Sequence, residues 1–532
     1  MVEKKDEIIL KDLEVIYQFI NFEVINKLIN NVASIFGATF NRFSSMRKRF
    51  EQQLQLGQLS ISQIKVNPKY RSGFPKLVLS LKELFLTPEY NEKIFGILEE
   101  HILKGKKNTG RTGMDLWILF VLAQTRLCLN ISYDELHRMA NSDKMLRQIM
   151  GVEFEPYYFV EPIEFEYQNI VDNVSLLDDE TVRQLNRVIV EMGHGVFKKK
   201  EAEALRLKTD SFVIESNVHF PTDYNLLWDS GRKCMDIIGK FVDKYAEITG
   251  WRKLAWWYRE LKNAMRALGQ VGKAGGKDKE VRLQKAATDY LDKALLFLTK
   301  LEKEKTNLPF NDAQDLALQI ELEYYQSMLV KHIDLVERRI IKGETIPHAE
   351  KLFSIFEPYT EWITKGKQNP SVELGKNFQI TTDQFNLIVD CKIMENQVDK
   401  TTVISLADRI LNKFKVASWS FDKGFYSKDN KAILELYVGH LVMPKKGKLN
   451  QAEKQQESQS KFKKIRNQHS AVESNINELE HRGLDRCPDR GYAHFKRYVG
   501  LGVCAYNLHK IGAELLRIER ERKIEKELKR AA

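Results

Sequence analysis

The separation of the strand-like segments constrains this chain more than any other feature. EALRLKTDSFVIES, residues 203–216, alternates at period two around β-branched and apolar residues, which predicts a strand. Comparable text resumes only at VELGKNFQITTDQFNLIVDCKIM, 372–394, which reads as two strands joined by a turn around Thr382 to Asn386. Between them stand the long amphipathic stretches VRLQKAATDYLDKALLFLTKLEKE and DLALQIELEYYQSMLVKHIDLVERRII, reached through the flexible basic loop VGKAGGKDK. A helix near 401–413, the strand KVASWSF running into a glycine turn, the helix KDNKAILELYVG and the strand HLVMPKK follow. Strands that bracket helices in this way predict one mixed α/β sheet domain interrupted after its first strand.

The flanks read as helical. LKDLEVIYQFINFEVINKLINNVASIF carries apolar residues at near-helical spacing, and NRFSSMRKRFEQQLQ predicts a basic helix. GRTGMDLWILFVLAQTRLCLNISYDELHRMANSDKMLRQIMGV predicts three helices, with Ser132 and Glu135 spaced as a capping box. Arg126, Arg138, Lys144 and Arg147 on these helices suit a helix-turn-helix type DNA contact, although a packing or dimerisation module fits as well. KKGKLNQAEKQQESQSKFKKIRNQ predicts a polar, basic loop, and LLRIERERKIEKELKR a basic closing helix. The expected division is a helical DNA-binding or dimerisation region at 1–160, a sheet domain at 200–250 and 346–515, a helical insertion at 250–345 and the basic helix at 515–532.

Composition narrows the partners. The chain has 532 residues, enough for more than one core, and a formal charge of +11 that favours a polyanion. Its longest apolar run, LWILFVLA at 116–123, is far below the roughly 20 residues of a bilayer span, and the charged start MVEKKDEIILKDLEV does not read as a secretory leader. Five cysteines without a CxxC pair predict reduced thiols, a cytosolic setting and no zinc site.

Three carboxylates stand out by position. Asp210 lies within the first strand, Asp422 ends the strand VASWSF, and Glu473 lies early in the helix HSAVESNINELE. Acids at strand ends and on an adjoining helix can converge and share hard cations, as a two-metal site for attack on a phosphodiester requires. Arg466, His469, Glu473, Asn477 and Glu480 fall on one helical face, with Val472, Ile476 and Leu479 on another that can pack on the sheet. Lys208 has the strand parity of Asp210, whereas Glu215 points to the opposite face and suits a structural ion pair. His219 and Asp223 have an HxxxD spacing, but Pro221 breaks the helix that would align them, and a hydrogen-bonded turn is expected. Trp251, Trp256 and Trp257 read as core ahead of base-stacking residues.

The blocks TDSFVIESNVHFPTDYNLLWDSGRK, IFEPYTEWITKGK, VELGKNFQITTDQ, SFDKGFYS and KKIRNQHSAVESNINELEHRGLDRCPDRGYAHFKRYVGLGVCAYNLHK, in that order, resemble bacterial insertion-sequence transposases of the DDE class, ISNCY type. The resemblance covers about 110 to 512. It implies an RNase H-like catalytic fold whose acidic triad falls on Asp210, Asp422 and Glu473. It implies two Mg²⁺ ions, replaceable by Mn²⁺, held by those three residues. Expected partners are the terminal inverted repeats and target DNA, bound as a homodimer away from membranes, in a bacterial cytoplasm at the nucleoid. Lys423, Lys461, Lys463, Lys464, Arg466, His469, Arg482 and Arg486 are the expected DNA contacts. The wider class carries a Tyr, Arg, Glu, Lys signature on the last helix; here Arg466 and His469 occupy the upstream turns, and Glu480 stands where the Lys would fall. An RNase H-like nuclease that cuts without joining and an inactivated transposase acting as a repressor share most of these features. A glycosidase acid/base pair is disfavoured by the basic charge and tail.

Overall fold

The structure, a computed structural model, describes residues 47–51, 54–67, 69–105, 113–157, 161–364 and 371–531. The first expected helix, 10–36, lies outside the described residues. Of the second, Arg47–Glu51 is not helical: Arg49 reaches out to clamp Glu99 through two hydrogen bonds and Glu92 through a third. Among the described residues seven α-helices then precede the sheet: α1 (Gly73–Leu86), α2 (Pro88–Ile102), α3 (Leu116–Leu129), α4 (Tyr133–Ser142), α5 (Lys144–Met150), α6 (Tyr167–Val174) and α7 (Asp179–Val196). The three helices expected after 110 are α3, α4 and α5, and Ser132 caps α4 by accepting from the Glu135 amide.

The protein is α/β, with a mixed seven-stranded sheet. Its strands are β1 (Leu205–Ser216), β2 (Glu361–Thr364), β3 (Val372–Thr382), β4 (Ile388–Ile393), β5 (Val416–Phe421), β6 (His440–Val442) and the short β7 (Arg486–Cys487). The main order is β2-β3-β1-β5-β6; β4 pairs with β3 on the side that β2 also occupies, and β7 pairs with β1. β1, β3 and β4 form an antiparallel meander, whereas β5 runs parallel to β1 and β6 parallel to β5. Between β1 and β2 stand α8 (Asp223–Lys244), α9 (Leu254–Lys273), α10 (Lys279–Lys305) and α11 (Ala313–Val336). The remaining helices are α12 (Asp399–Leu411), α13 (Lys428–Glu435), α14 (Gln451–Ser458), α15 (Ser460–Gln468), α16 (Ser470–Leu479) and α17 (Tyr492–Ala531).

Three apolar clusters hold these layers. Phe212, Ile214, Phe378 and Ile380 put one sheet face into a core shared with α1 to α7, α16 and α17, so the N-terminal helices and the sheet are packed together. Leu205, Leu207, Trp419 and Phe421 put the opposite face against α12 and α13. The third cluster runs from Leu226 to Ile355 and is the inserted helices' own core, to which α8 contributes. Trp251 is buried there, and Trp257 packs on Phe297 at 5.7 Å; Trp256 stays 43% exposed. The basic closing helix is the end of α17, one continuous helix of 40 residues. α17 crosses α1 so closely that a Cβ on Gly512 would lie 1.8 Å from the Lys76 carbonyl oxygen, which leaves room for glycine alone.

Two further expectations fail. The polar segment before α16 is not a loop: a capping box between Asn450 and Glu453 starts α14, and α15 follows at once. Arg126 and Arg147 do not face outward either. Arg126 is buried in a two-bond pair with Asp489, with its guanidinium carbon 4.0 Å from the Tyr133 ring centre, and Arg147 pairs with Glu153 and donates to the Ala140, Val152 and Ile163 carbonyls. Arg138 and Lys144 stay exposed, Arg138 paired with Glu135. No helix among the described residues is long and apolar enough to cross a membrane.

Candidate active site

The register of the two central strands brings two of the expected acids together. β1 and β5 pair in parallel up to Thr209↔Phe421, so Asp210 and Asp422 are the next residues of adjacent strands, at the point where β5 stops. Neighbouring strands lie about 4.8 Å apart. Ser420 and Asp422 share parity with each other, and Ser420 hydrogen-bonds His469 at the junction of α15 and α16. Val472, Ile476 and Leu479 of α16 are buried on the sheet side, as expected from their spacing, which leaves Glu473 exposed in the first turn of the helix.

Charge records the meeting. The Asp210 carboxyl is pushed up to about 7, first by burial and then by the negative charges of Asp422, Asp399 and Glu473; a hydrogen bond from the Ser211 amide only partly offsets these. Asp399, the first residue of α12, has no place in the sequence pattern. It arrives from the opposite sheet face, accepts from Ser211 Oγ at 2.7 Å, and is itself raised by burial and by Asp422. A Cβ on Gly424 would stand 2.6 Å from Asp399 Oδ2, so the glycine of the DKG turn lets the two segments touch. An acid in the first turn of a helix reads as a dipole partner, and only the pairing with that turn distinguishes this one.

Among the described residues no three His, Cys, Asp or Glu side chains are drawn tightly enough to hold one metal ion. The carboxylates meet at the range of charge, not of ligation. Their chemistry nevertheless fits Mg²⁺ or Mn²⁺: hard oxygen donors gather negative charge around Asp210, and Asp422 and Glu473 are exposed, Asp422 accepting a bond from the Gly424 amide through one carboxylate oxygen.

The other expected residues divide. Lys423 follows Asp422 and is exposed, as are Lys463 and Lys464 on α15. Lys461, also exposed, hydrogen-bonds His440, and Arg466 pairs with Glu457 at 3.7 Å while staying half exposed. His469 turns inward: burial drives its pKa down to about 4 against the pull of Asp422, so the ring is neutral beside Ser420, and its Nε2 is buried without a partner. Arg482 is enclosed, donating to the Cys128 carbonyl at 2.9 Å and to Glu478 and His509. Arg486 pairs with Glu215 at 2.6 Å, the structural ion pair expected of Glu215. Lys208, at the parity of Asp210, donates to the Asp383 carbonyl at 2.9 Å. His219 and Asp223 do not meet, since His219 faces Asp229 and Asp223 pairs with Arg339.

No protein-family model, curated protein or solved structure matches this chain.

Proposed function

We propose that this chain is a DNA transposase of the DDE class, cutting at the terminal inverted repeats of an insertion sequence and joining the freed 3′ end to target DNA. One observation carries the reading: Asp210 and Asp422 end adjacent strands at one end of the sheet, and the charges of Asp422 and of Glu473, from the covering helix, both raise the Asp210 carboxyl. The RNase H-like part of the proposal is supported by an antiparallel meander continued by two strands parallel to its first member.

Asp210, Asp422 and Glu473 would hold the two divalent ions, which would activate the attacking oxygen and stabilise the leaving one. Asp210 must lose its proton to serve, and a cation lowers the cost of that loss. Lys423, next to Asp422, and the exposed cations of α15, the helix that ends at His469, would seat phosphates, while His469, neutral and tied to Ser420, would support the floor.

Purified protein, labelled element ends and Mg²⁺ provide the test. Nicking at the end followed by joined products is the expected outcome, with two copies pairing two ends. Nicking without joining would reduce the protein to a hydrolytic nuclease, and binding without either to a DNA-bound repressor.

A further inference from the structure

A cavity of the protein lies away from the carboxylates, at the β4 edge of the sheet. It is a groove of about 560 Å³ between α7 and α17 on one side and the end of α12 on the other. β4 forms its floor. Met394 donates to the Asn377 carbonyl, so the alternating antiparallel pattern turns Lys392 and Asp390 inward to β3 and leaves the N–H and C=O of Cys391 and Ile393 directed outward. No described residue bonds them. β4 is thus an open strand edge at the bottom of a slot, held between helices that cover both sheet faces.

The walls are unbalanced in charge. Every carboxylate on them is taken: Asp179 by Arg183, Asp390 by Arg409 at 2.7 Å, and Glu395 by the Tyr492 hydroxyl. Arg187, Lys392, Lys413 and Lys496 pair with no carboxylate among the described residues, although Lys496 lies over the Tyr492 ring. Lys413 is lowered first by partial enclosure and then by the neighbouring charge of Arg187, with Asp390 pulling the other way and Arg409 adding to the fall, so the cations outweigh the anion around it.

We propose that this groove takes an extended, acidic segment of another polypeptide, which adds as a strand to β4 and sets its carboxylates against Arg187, Lys392, Lys413 and Lys496. Main-chain bonding to Cys391 and Ile393 supplies the alignment, as in other strand additions, and the four cations select for acid. A slot with a strand edge for its floor, flanked on both faces by helices, matches one extended chain; a nucleic acid could answer the charge but has no use for the free edge. The inference rests on the groove alone and stands or falls apart from the transposase reading.

The full-length protein is titrated with a fluorescein-labelled eight-residue peptide alternating valine and glutamate. Binding is expected, with at least tenfold loss for the same peptide carrying lysine for glutamate, and again for one carrying proline at alternate positions. Arg187→Glu with Lys413→Glu, both exposed side chains, should weaken the glutamate peptide at least tenfold. Bound peptide should slow amide exchange at Cys391 and Ile393. Absence of binding, equal binding of the lysine or proline peptide, or unchanged exchange at those two amides would overturn the proposal. So would an oligothymidylate that binds with the same Arg187 and Lys413 dependence where the peptide does not.

Discussion

Two glutamates little more than a turn apart on one stretch of helix, Glu473 and Glu478, have opposite surroundings. Glu473 looks out from the first turn of α16, its charge felt by Asp210 together with those of Asp422 and Asp399, with no cation among the described residues bound into the group. Glu478, near the other end, is gripped by Lys510 at 2.5 Å, Arg482 at 3.1 Å and His509 at 3.3 Å. Burial would raise the Glu478 carboxyl, but the bonds from His509 and Lys510 overcome it and hold the group far below the ordinary range. One end of the helix leaves negative charge unanswered and the other neutralises it completely. The first arrangement costs the fold stability, and a crowd of acids without a counter-ion is the feature on which the proposed site rests.

The comparison breaks most sharply on chemistry. Asp210→Asn, Asp422→Asn and Glu473→Gln should each lower end cleavage by at least about a thousandfold, roughly 4 kcal/mol of barrier. Glu478→Gln should cleave at near the wild-type rate at a temperature where it is folded. The readout is single-turnover nicking of a labelled element end in Mg²⁺. Near-normal cleavage by any of the first three removes that residue from the site.

Stability should move in the reverse sense. Because the folded Asp210 pKa of about 7 exceeds its unfolded value, the folded state holds the extra proton, and stability falls as pH rises between roughly 4 and 7. Asp210→Asn escapes that loss. It should match the wild type near pH 4 and exceed it above pH 7 by up to about 4 kcal/mol, since each tenfold difference in proton affinity between the folded and unfolded chain is worth about 1.36 kcal/mol. Urea unfolding across pH without divalent ions measures this, and a wild type more stable than the variant at pH 8 would refute it. Adding Mg²⁺ should stabilise the wild type and leave the variant unchanged.

Glu478→Gln should destabilise, by about 2 kcal/mol at pH 7, because Arg482, His509 and Lys510 lose their shared carboxylate. The partly exposed position keeps the figure below that of a fully buried pair. The sign with pH is opposite to that of Asp210. A depressed carboxyl stabilises above its unfolded pKa and loses the contribution as pH falls through the folded value, so the deficit of the variant should shrink in acid. The same urea midpoints decide it, and a deficit that grows in acid would contradict the assigned role.

The contrast also separates what the sequence made legible from what it hid. Period-two text located β1, strand-like text located β3, β4, β5 and β6 while the four-residue β2 went unread, and the Val472, Ile476, Leu479 stripe located the buried side of α16, since these follow from which residues must leave water. Asp210 and Asp422 were visible as acids where apolar strand text should run on. Asp399 was not, because its meaning depends on Ser211 and Gly424, contacts across the sheet that no local period encodes. Arg126 and Arg482 misled for the same reason: a basic residue on a helix reads as surface until Asp489 or Glu478 arrives to meet it in the fold. The segment before α16 misled through composition, which is that of a loop, while its helix start depends on the pairing of Asn450 with Glu453.

The smallest effect tests which cations meet DNA. Lys463 and Lys464 on α15 are exposed, and no carboxylate among the described residues pairs with them, so each is available to a phosphate. A phosphate neutralised by one lysine releases about one condensed counter-ion, and the slope of log affinity against log salt records the number released. Lys463→Ala and Lys464→Ala should each flatten that slope by about 0.9, with a correspondingly modest loss of affinity at moderate salt. Arg482, although basic and only a few turns beyond Glu473, already gives its donors to Cys128, Glu478 and His509, so Arg482→Gln should leave the slope alone and lower stability instead. Binding of labelled element ends, measured from low to moderate salt for the three variants, separates these outcomes. A slope flattened by Arg482→Gln and untouched by the two lysine variants would put the DNA on the neutralised end of the helix and invert the contrast between Glu473 and Glu478.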